Sequence, residues 1–171
     1  MKGAPEGAGG FFGIFIKKFV FEIARAPDWK PWFIFLPTNE PDSVILVQVH
    51  KKMLGLASYY STRMGFFDDT FLTSNFKSLK LSAFSIRCNE GYCPPIFIYH
   101  NSLTSDTFVS IFNCVKTLIP TLTGLMMDCS VSQMEAARRC DLELYLCAFH
   151  LCSAQTKWVN QGYLIFELIL V

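Results

Sequence analysis

Apolar and polar residues follow a strand-like pattern at three successive places from Met64 onward. Residues 64–67 form a short apolar run, residues 79–86 alternate between apolar and polar positions, and residues 95–99 form a third run after a break at Cys93-Pro94-Pro95. Short runs of this kind are typical of β-strands. Because the connections between them are brief, the pattern predicts three strands in an antiparallel meander.

A helical pattern follows the three strands. Apolar residues recur there at the i, i+3, i+4 and i+7 spacing of an amphipathic helix, with Ser105 as the predicted N-cap and Pro120 as the residue that ends the helix. The apolar positions are Phe108, Ile111, Phe112, Val115, Leu118 and Ile119.

Two further strands with a helix between them complete the pattern. Residues 122–127 and 142–148 are the predicted strands, and Ser132 and Glu135 fit a capping box that opens a helix ending near Arg139. The order is therefore β-β-β-α-β-α-β, which predicts an α/β fold with a mixed sheet. Since parallel neighbours need a helical crossover between them, the first of these strands can lie beside the fourth.

Aspartates stand at the ends of the first and fourth predicted strands. If these strands are neighbours, Asp68 and Asp128 converge at one edge of the sheet. Two carboxylates in one site can hold divalent ions that stabilise charge at a phosphodiester, and oxygen ligands suit Mg²⁺ or Mn²⁺. Acidic residues at strand ends are also common as solvated turn residues, so topology alone leaves both interpretations open.

The remaining segments give weaker signals. Within a flanking region at residues 11–60, residues 43–49 are a predicted strand and residues 51–60 a predicted helix. The predicted domain plan is a flexible glycine-rich lead-in at 1–10, the flanking region at 11–60, a core at 61–160 and an apolar tail at 161–171.

Composition narrows the setting in which the chain works. The apolar ends fall short of the roughly 18 to 20 residues of a transmembrane helix, and no signal-peptide cleavage pattern follows the first of them, so we expect no membrane partner and no secretion. The alternative is that these apolar ends associate with a membrane. Seven cysteines, an odd number, favour reduced thiols in a nuclear or cytoplasmic protein. A net charge of +1 counts against autonomous affinity for nucleic acid.

Three segments together resemble the Mutator-like (MULE) transposases. Residues 66–71 (FFDDTF) are similar to the D-x-T-[FY] strand that opens that domain, residues 126–130 (MMDCS) to its second aspartate strand, and residues 146–150 (LCAFH) to the C-x-x-H element that follows. The resemblance spans residues 44–158 and depends on the order and spacing of the motifs.

The resemblance implies an RNase H-like fold and a DDE-type site for DNA cleavage and strand transfer in transposition. Asp68 and Asp128 would be the first two catalytic acids and would bind Mg²⁺ or Mn²⁺, with transposon-end DNA as the partner. Asp69 is the rival of Asp68, because adjacent strand residues point to opposite faces. Asp68 is preferred since the family places its aspartate two residues before the threonine, here Thr70.

Cys147 and His150 admit two interpretations. Their spacing would suit half of a zinc site, yet a single C-x-x-H supplies only two of four ligands, so zinc is not expected. By resemblance the pair, with Asp69 and Thr70, supports the catalytic core. His50 and His100 are interpreted as structural histidines with satisfied hydrogen bonds.

The sequence departs from the family in its third acid. The family has a glutamate beyond the C-x-x-H element, whereas only Glu167 lies beyond His150 in this sequence, in a short apolar run. We therefore expect a fold truncated at its C-terminus and a transposase fragment with impaired or no activity. The alternatives are a non-catalytic, domesticated module that binds DNA or protein and a chain that does not fold stably alone. Homo-oligomers remain possible in each case.

Overall fold

The fold is an α/β arrangement built on one mixed sheet. The computed structural model describes residues 31–38, 40, 42–60, 63–70, 79–89, 91–128, 130–148, 150 and 152. These residues form seven strands: β1 (Trp32–Leu36), β2 (Ile45–Val49), β3 (Met64–Thr70), β4 (Lys80–Cys88), β5 (Gly91–His100), β6 (Gly124–Met127) and β7 (Glu143–Leu146). They also form three helices: α1 (Lys51–Tyr60), α2 (Ser105–Leu118) and α3 (Val131–Arg139).

The strand order across the sheet is β1-β2-β5-β4-β3-β6-β7. Each neighbouring pair among the first five strands of this order, from β1 across the sheet to β3, is antiparallel. Strands β3, β6 and β7 run parallel to one another. The predicted order β-β-β-α-β-α-β is confirmed from β3 onward, and so is the pairing of its first strand with its fourth. Residues 32–60, which we assigned to a flanking region, add β1, β2 and α1 to the same unit.

The main core lies between the sheet and α2. Phe67 on β3 packs edge-to-face against Phe108 and Phe112 of α2, with ring centroids 6.0 and 5.1 Å apart. The predicted apolar stripe of this helix is buried along nearly its whole length. Ala83 and Phe97 form a second, smaller cluster of buried residues, separate from the main core.

Three local predictions are wrong. The expected break at Cys93-Pro94-Pro95 lies inside β5, where the register with β4 shifts so that Ser85 faces both prolines. Proline is tolerated at such a bulge because the ladder hydrogen bond is already lost there.

The other two errors concern helix starts. The N-cap of α2 is Thr104 instead of Ser105, and its side chain accepts a hydrogen bond from the Thr107 amide. Helix α3 begins at Val131, so Ser132 lies inside the helix and does not cap it.

Gly65 allows a close contact that holds β3 against β4. A Cβ added at Gly65 would lie 2.2 Å from a ring carbon of buried Phe84, whereas a Cβ at Gly55 in α1 would meet nothing within 4 Å. We expect Gly65→Ala to destabilise the protein by roughly 1–3 kcal/mol through overpacking. Gly55→Ala is the control and should stabilise by about 0.5–1 kcal/mol, because alanine favours the helix. Urea denaturation of both variants checks this, and equal stabilities would contradict the packing of Phe84 on Gly65.

Several sequence predictions fall outside the described residues. They concern the lead-in at 1–10, the tail at 161–171 and Glu167.

Candidate metal centre

Three neighbouring parallel strands end at the same edge of the sheet and place three titratable side chains there. Asp68 lies near the end of β3, Asp128 follows β6 directly, and His150 follows β7 by a few residues. In the β3–β6 ladder Phe66 pairs with Met126, so the register brings Asp68 level with Asp128. Ligands in α/β proteins bind at such carboxyl ends of parallel strands.

The structure brings these three side chains into one cluster. One ligand atom from each of Asp68, Asp128 and His150 lies within 4.8 Å of the others. Nδ1 of His150 contacts a carboxylate oxygen of Asp128, and the two side chains are 38% and 32% exposed. We call Asp68, Asp128 and His150 the carboxylate–histidine cluster. The His150 and Asp128 side chains are therefore partly accessible to solvent.

Burial and the negative charge of neighbouring carboxylates disfavour the charged forms of both acids. Burial and then the neighbouring Asp128 carboxylate raise the pKa of Asp68 to about 6. Burial also raises the pKa of Asp128, against the opposing influence of His150. A cation between the two carboxylates would relieve this cost.

Asp69 takes no part in that cluster. Its side chain is 5% exposed and points to the interior, as expected from the alternation of side chains along β3. Its carboxylate accepts hydrogen bonds from the Ser82 hydroxyl of β4 and from the Gln133 side chain of α3, the latter at 2.6 Å. The choice of Asp68 over Asp69 for the shared site therefore agrees with the direction of the two side chains.

A buried hydrogen-bond chain extends from Asp69 to the end of β5. The Ser82 hydroxyl lies 2.7 Å from Nε2 of His100, and Nδ1 of His100 lies 2.7 Å from the Ser102 carbonyl oxygen. Since a carbonyl only accepts, Nδ1 is the donor in that contact. We call Asp69, Ser82, His100 and Gln133 the Asp69 network.

The resemblance also implicates Thr70 and Cys147, which lie at the end of β3 and directly after β7. Thr70 is the last residue of β3 and pairs with Leu81 of β4. The Cys147 amide donates to the Met127 carbonyl oxygen at 2.9 Å, but the Cys147 thiol is not part of the cluster.

The two remaining histidines have the structural surroundings that the sequence suggested. Nε2 of His50 lies 3.1 Å from the Gln48 amide nitrogen, and its ring meets Phe97 edge-on. Burial lowers the pKa of His50. His100 is fully buried within the Asp69 network.

Sequence reasoning did not find two of these contacts. It placed His150 in the core but not against Asp128, and it treated Gln133 only as part of a capping box. A usable signal for His150 was its position just after a strand parallel to β6. No comparable signal marks Gln133, because its partner is 64 residues away in sequence.

The donor atoms of the cluster fit one divalent cation. Two carboxylates and one imidazole combine hard oxygen ligands with a borderline nitrogen ligand, a set that suits Mn²⁺ and other first-row metals better than Mg²⁺, which favours oxygen alone. Within the described part of the chain, this is the one group of three or more histidine, cysteine or acidic side chains close enough to share an ion.

Comparison of the sequence with protein-family models and with curated proteins found no match. Among the described residues, no helix is long and apolar enough to cross a membrane.

Proposed function

We propose that the protein is the RNase H-like core of a Mutator-like transposase domain and that its carboxylate–histidine cluster binds a divalent cation for cleavage of DNA. The observation that carries this proposal is the convergence of Asp68, Asp128 and His150, whose ligand atoms lie within 4.8 Å of one another. These are residues of the three motifs on which the resemblance depends.

The topology supports the proposal independently of the motifs. A meander followed by two helical crossovers, with the first strand of the meander beside the fourth strand, is the arrangement that RNase H-like folds use. The order β5-β4-β3-β6-β7 within the sheet agrees with this arrangement, and the two acids lie at the carboxyl ends of the parallel pair β3 and β6. That edge is where an α/β sheet binds ligands.

The residues of the cluster have separate roles in this proposal. Asp68 and Asp128 supply the negative charge that attracts the cation, and His150 contacts Asp128 and offers a third ligand atom. The chemistry that a divalent cation supplies when bound is stabilisation of the charge that develops on phosphodiester oxygens. The third acid that the family resemblance leads one to expect, beyond the C-x-x-H element, is not among the three residues of this cluster.

The ligand set also defines the expected metal preference and activity. With one imidazole among the ligands, Mn²⁺ should bind more tightly than Mg²⁺. Since the cluster has two acids where the DDE site has three, we expect weak nicking of DNA instead of efficient strand transfer. DNA binding that does not depend on a metal ion would instead indicate a module that only binds DNA.

The first experiment is metal binding and plasmid nicking by the purified chain. We expect one Mn²⁺ to bind per chain by titration calorimetry, and we expect slow nicking of supercoiled DNA that EDTA abolishes. His150→Ala should weaken Mn²⁺ binding at least about tenfold, because even the loss of an outer-sphere partner costs this much. The same variant should reduce the preference for Mn²⁺ over Mg²⁺.

Two results would contradict the proposal. One is a wild-type protein that binds no divalent cation. The other is nicking that continues unchanged in EDTA, which would show either a contaminating nuclease or a site elsewhere. DNA binding that is equal with and without EDTA, in the absence of nicking, would favour a scaffold.

A further inference from the structure

The Asp69 network connects the two chain segments that carry the metal-binding acids. Asp69 follows Asp68 directly on β3, and Gln133 lies in the first turn of α3, which begins shortly after Asp128 in the sequence. The hydrogen bond from Nε2 of Gln133 to Oδ2 of Asp69 is 2.6 Å long. This hydrogen bond therefore links the segment that carries Asp68 to the segment that carries Asp128.

From this connection we propose that Asp69 and Gln133 are positioning residues that set the separation of Asp68 and Asp128 and thereby the metal affinity of the cluster. The inference rests on the proposed metal centre and goes beyond it, because neither residue belongs to the carboxylate–histidine cluster.

The orientation of the Gln133 amide is fixed by its partner. An ionised carboxylate only accepts hydrogen bonds, so the amide nitrogen must face Asp69. Gln133 is 3% exposed, and its amide oxygen has no hydrogen-bond partner among the described residues. Burying an unpaired amide oxygen costs stability. We therefore infer that Gln133 serves to hold Asp69 in place and not to stabilise the fold.

The other end of the network is anchored in the sheet. Oδ1 of Asp69 accepts from Ser82, which is fully buried on β4, and Ser82 contacts His100 at the end of β5. His100 is held in turn by the Ser102 carbonyl. With both carboxylate oxygens engaged, Asp69 joins β4 and β5 to α3. Only residues 129 and 130 separate Asp128 from α3, so a fixed position of α3 also restricts the position of Asp128.

The test compares the same substitution at two glutamines. Gln133→Met keeps the approximate size of the side chain and removes the donor. Gln48→Met is the matched control, because Gln48 is half-buried on β2 and bonds to Tyr99 and His50 outside the Asp69 network. We expect Gln133→Met to weaken Mn²⁺ binding about 10- to 100-fold, as for other outer-sphere partners, and Gln48→Met to leave it unchanged.

A swap of donor and acceptor provides the second measurement. In the double variant Asp69→Asn with Gln133→Glu, the asparagine amide can donate to the new carboxylate, so the connection is restored with its polarity reversed and with no change in net charge. We expect this double variant to bind Mn²⁺ more tightly than Gln133→Met. The Mn²⁺ electron paramagnetic resonance spectrum should also return toward that of wild type.

Each outcome distinguishes the two proposals. If wild-type protein binds Mn²⁺ and Gln133→Met binds it equally well, the positioning role is wrong and the metal centre stands. If Gln133→Met does not fold, a double variant that folds but does not regain affinity overturns the positioning role. If wild type binds no Mn²⁺, both proposals fail together.

Discussion

Asp128→Asn should slow Mn²⁺-dependent nicking of DNA by about 100-fold or more. Losing one group that stabilises developing charge typically costs this much in rate. The substitution keeps the size and shape of the side chain but removes one of the two negative charges on which the proposed cation site depends. It also weakens the contact with His150, which now meets a neutral amide. Initial rates of plasmid relaxation at saturating Mn²⁺ measure the effect.

Asp141→Asn is the matched control for this variant. Asp141 is exposed in the connection between α3 and β7, and its φ of 52° lies in the left-handed region that asparagine tolerates as well as aspartate. The variant therefore makes the same change of charge without touching the cluster, and its nicking rate should equal that of wild type. Nicking that survives in Asp128→Asn would refute the assignment of the active site.

The part of the fold that could be predicted is the part encoded by local periodicity. The apolar stripe of α2 repeats over four turns, and its burial against Phe67 follows from that repeat. The parallel pairing of β3 with β6 followed from a general rule, because a helix must cross between parallel neighbours.

Strand β1 lacks such a signal. Its five residues are all apolar, so alternation cannot separate the side chains that face the core from the exposed Phe33 and Phe35. The place of β2 beside β5 depends on pairing between residues about 50 apart, as between Val47 and Ile98. Pairing over such distances is decided by the assembled sheet and not by either segment alone.

The candidate site divides in the same way. Strand ends predicted that the acids after β3 and β6 lie side by side, whereas alternation left Asp68 and Asp69 as rivals, and Asp68 was chosen from the D-x-T spacing of the family it resembles. The contacts of His150 and Gln133 depend on side-chain positions after the elements have packed, which spacing in the sequence does not specify. Gln133 was hidden further because its neighbours, Ser132 and Glu135, fit a capping box that the helix does not use.

Asp68→Asn should make the metal-free protein more stable at neutral pH while it removes metal binding. The pKa of Asp68 rises from 3.8 to about 6 in the folded protein through burial and the charge of Asp128. At about 1.36 kcal/mol per pKa unit this rise amounts to about 3 kcal/mol, which partial exposure reduces to about 2 kcal/mol. We therefore expect the melting temperature in EDTA at pH 7.5 to rise by about 5 °C.

The pH dependence of stability explains why Asp68→Asn should be more stable than wild type at neutral pH. Between pH 3.8 and about 6 the folded protein binds the Asp68 proton more tightly than the unfolded chain does, so the stability of wild type falls as the pH rises through this window. Asp68→Asn does not lose stability in this window. Its stability should therefore equal that of wild type near pH 4 and exceed it by the full amount above pH 7.

Melting curves with Mn²⁺ separate this electrostatic effect from a general gain in packing. Saturating Mn²⁺ should stabilise wild type, because the cation binds only the folded state, and should leave Asp68→Asn unchanged. The order of stabilities at pH 7.5 would then reverse between EDTA and Mn²⁺. An advantage of the variant that is equal at pH 4 and pH 7.5 would show that the negative charge of Asp68, which burial and then Asp128 disfavour, is not its source. The case that these carboxylates form a cation site would then lose its electrostatic support.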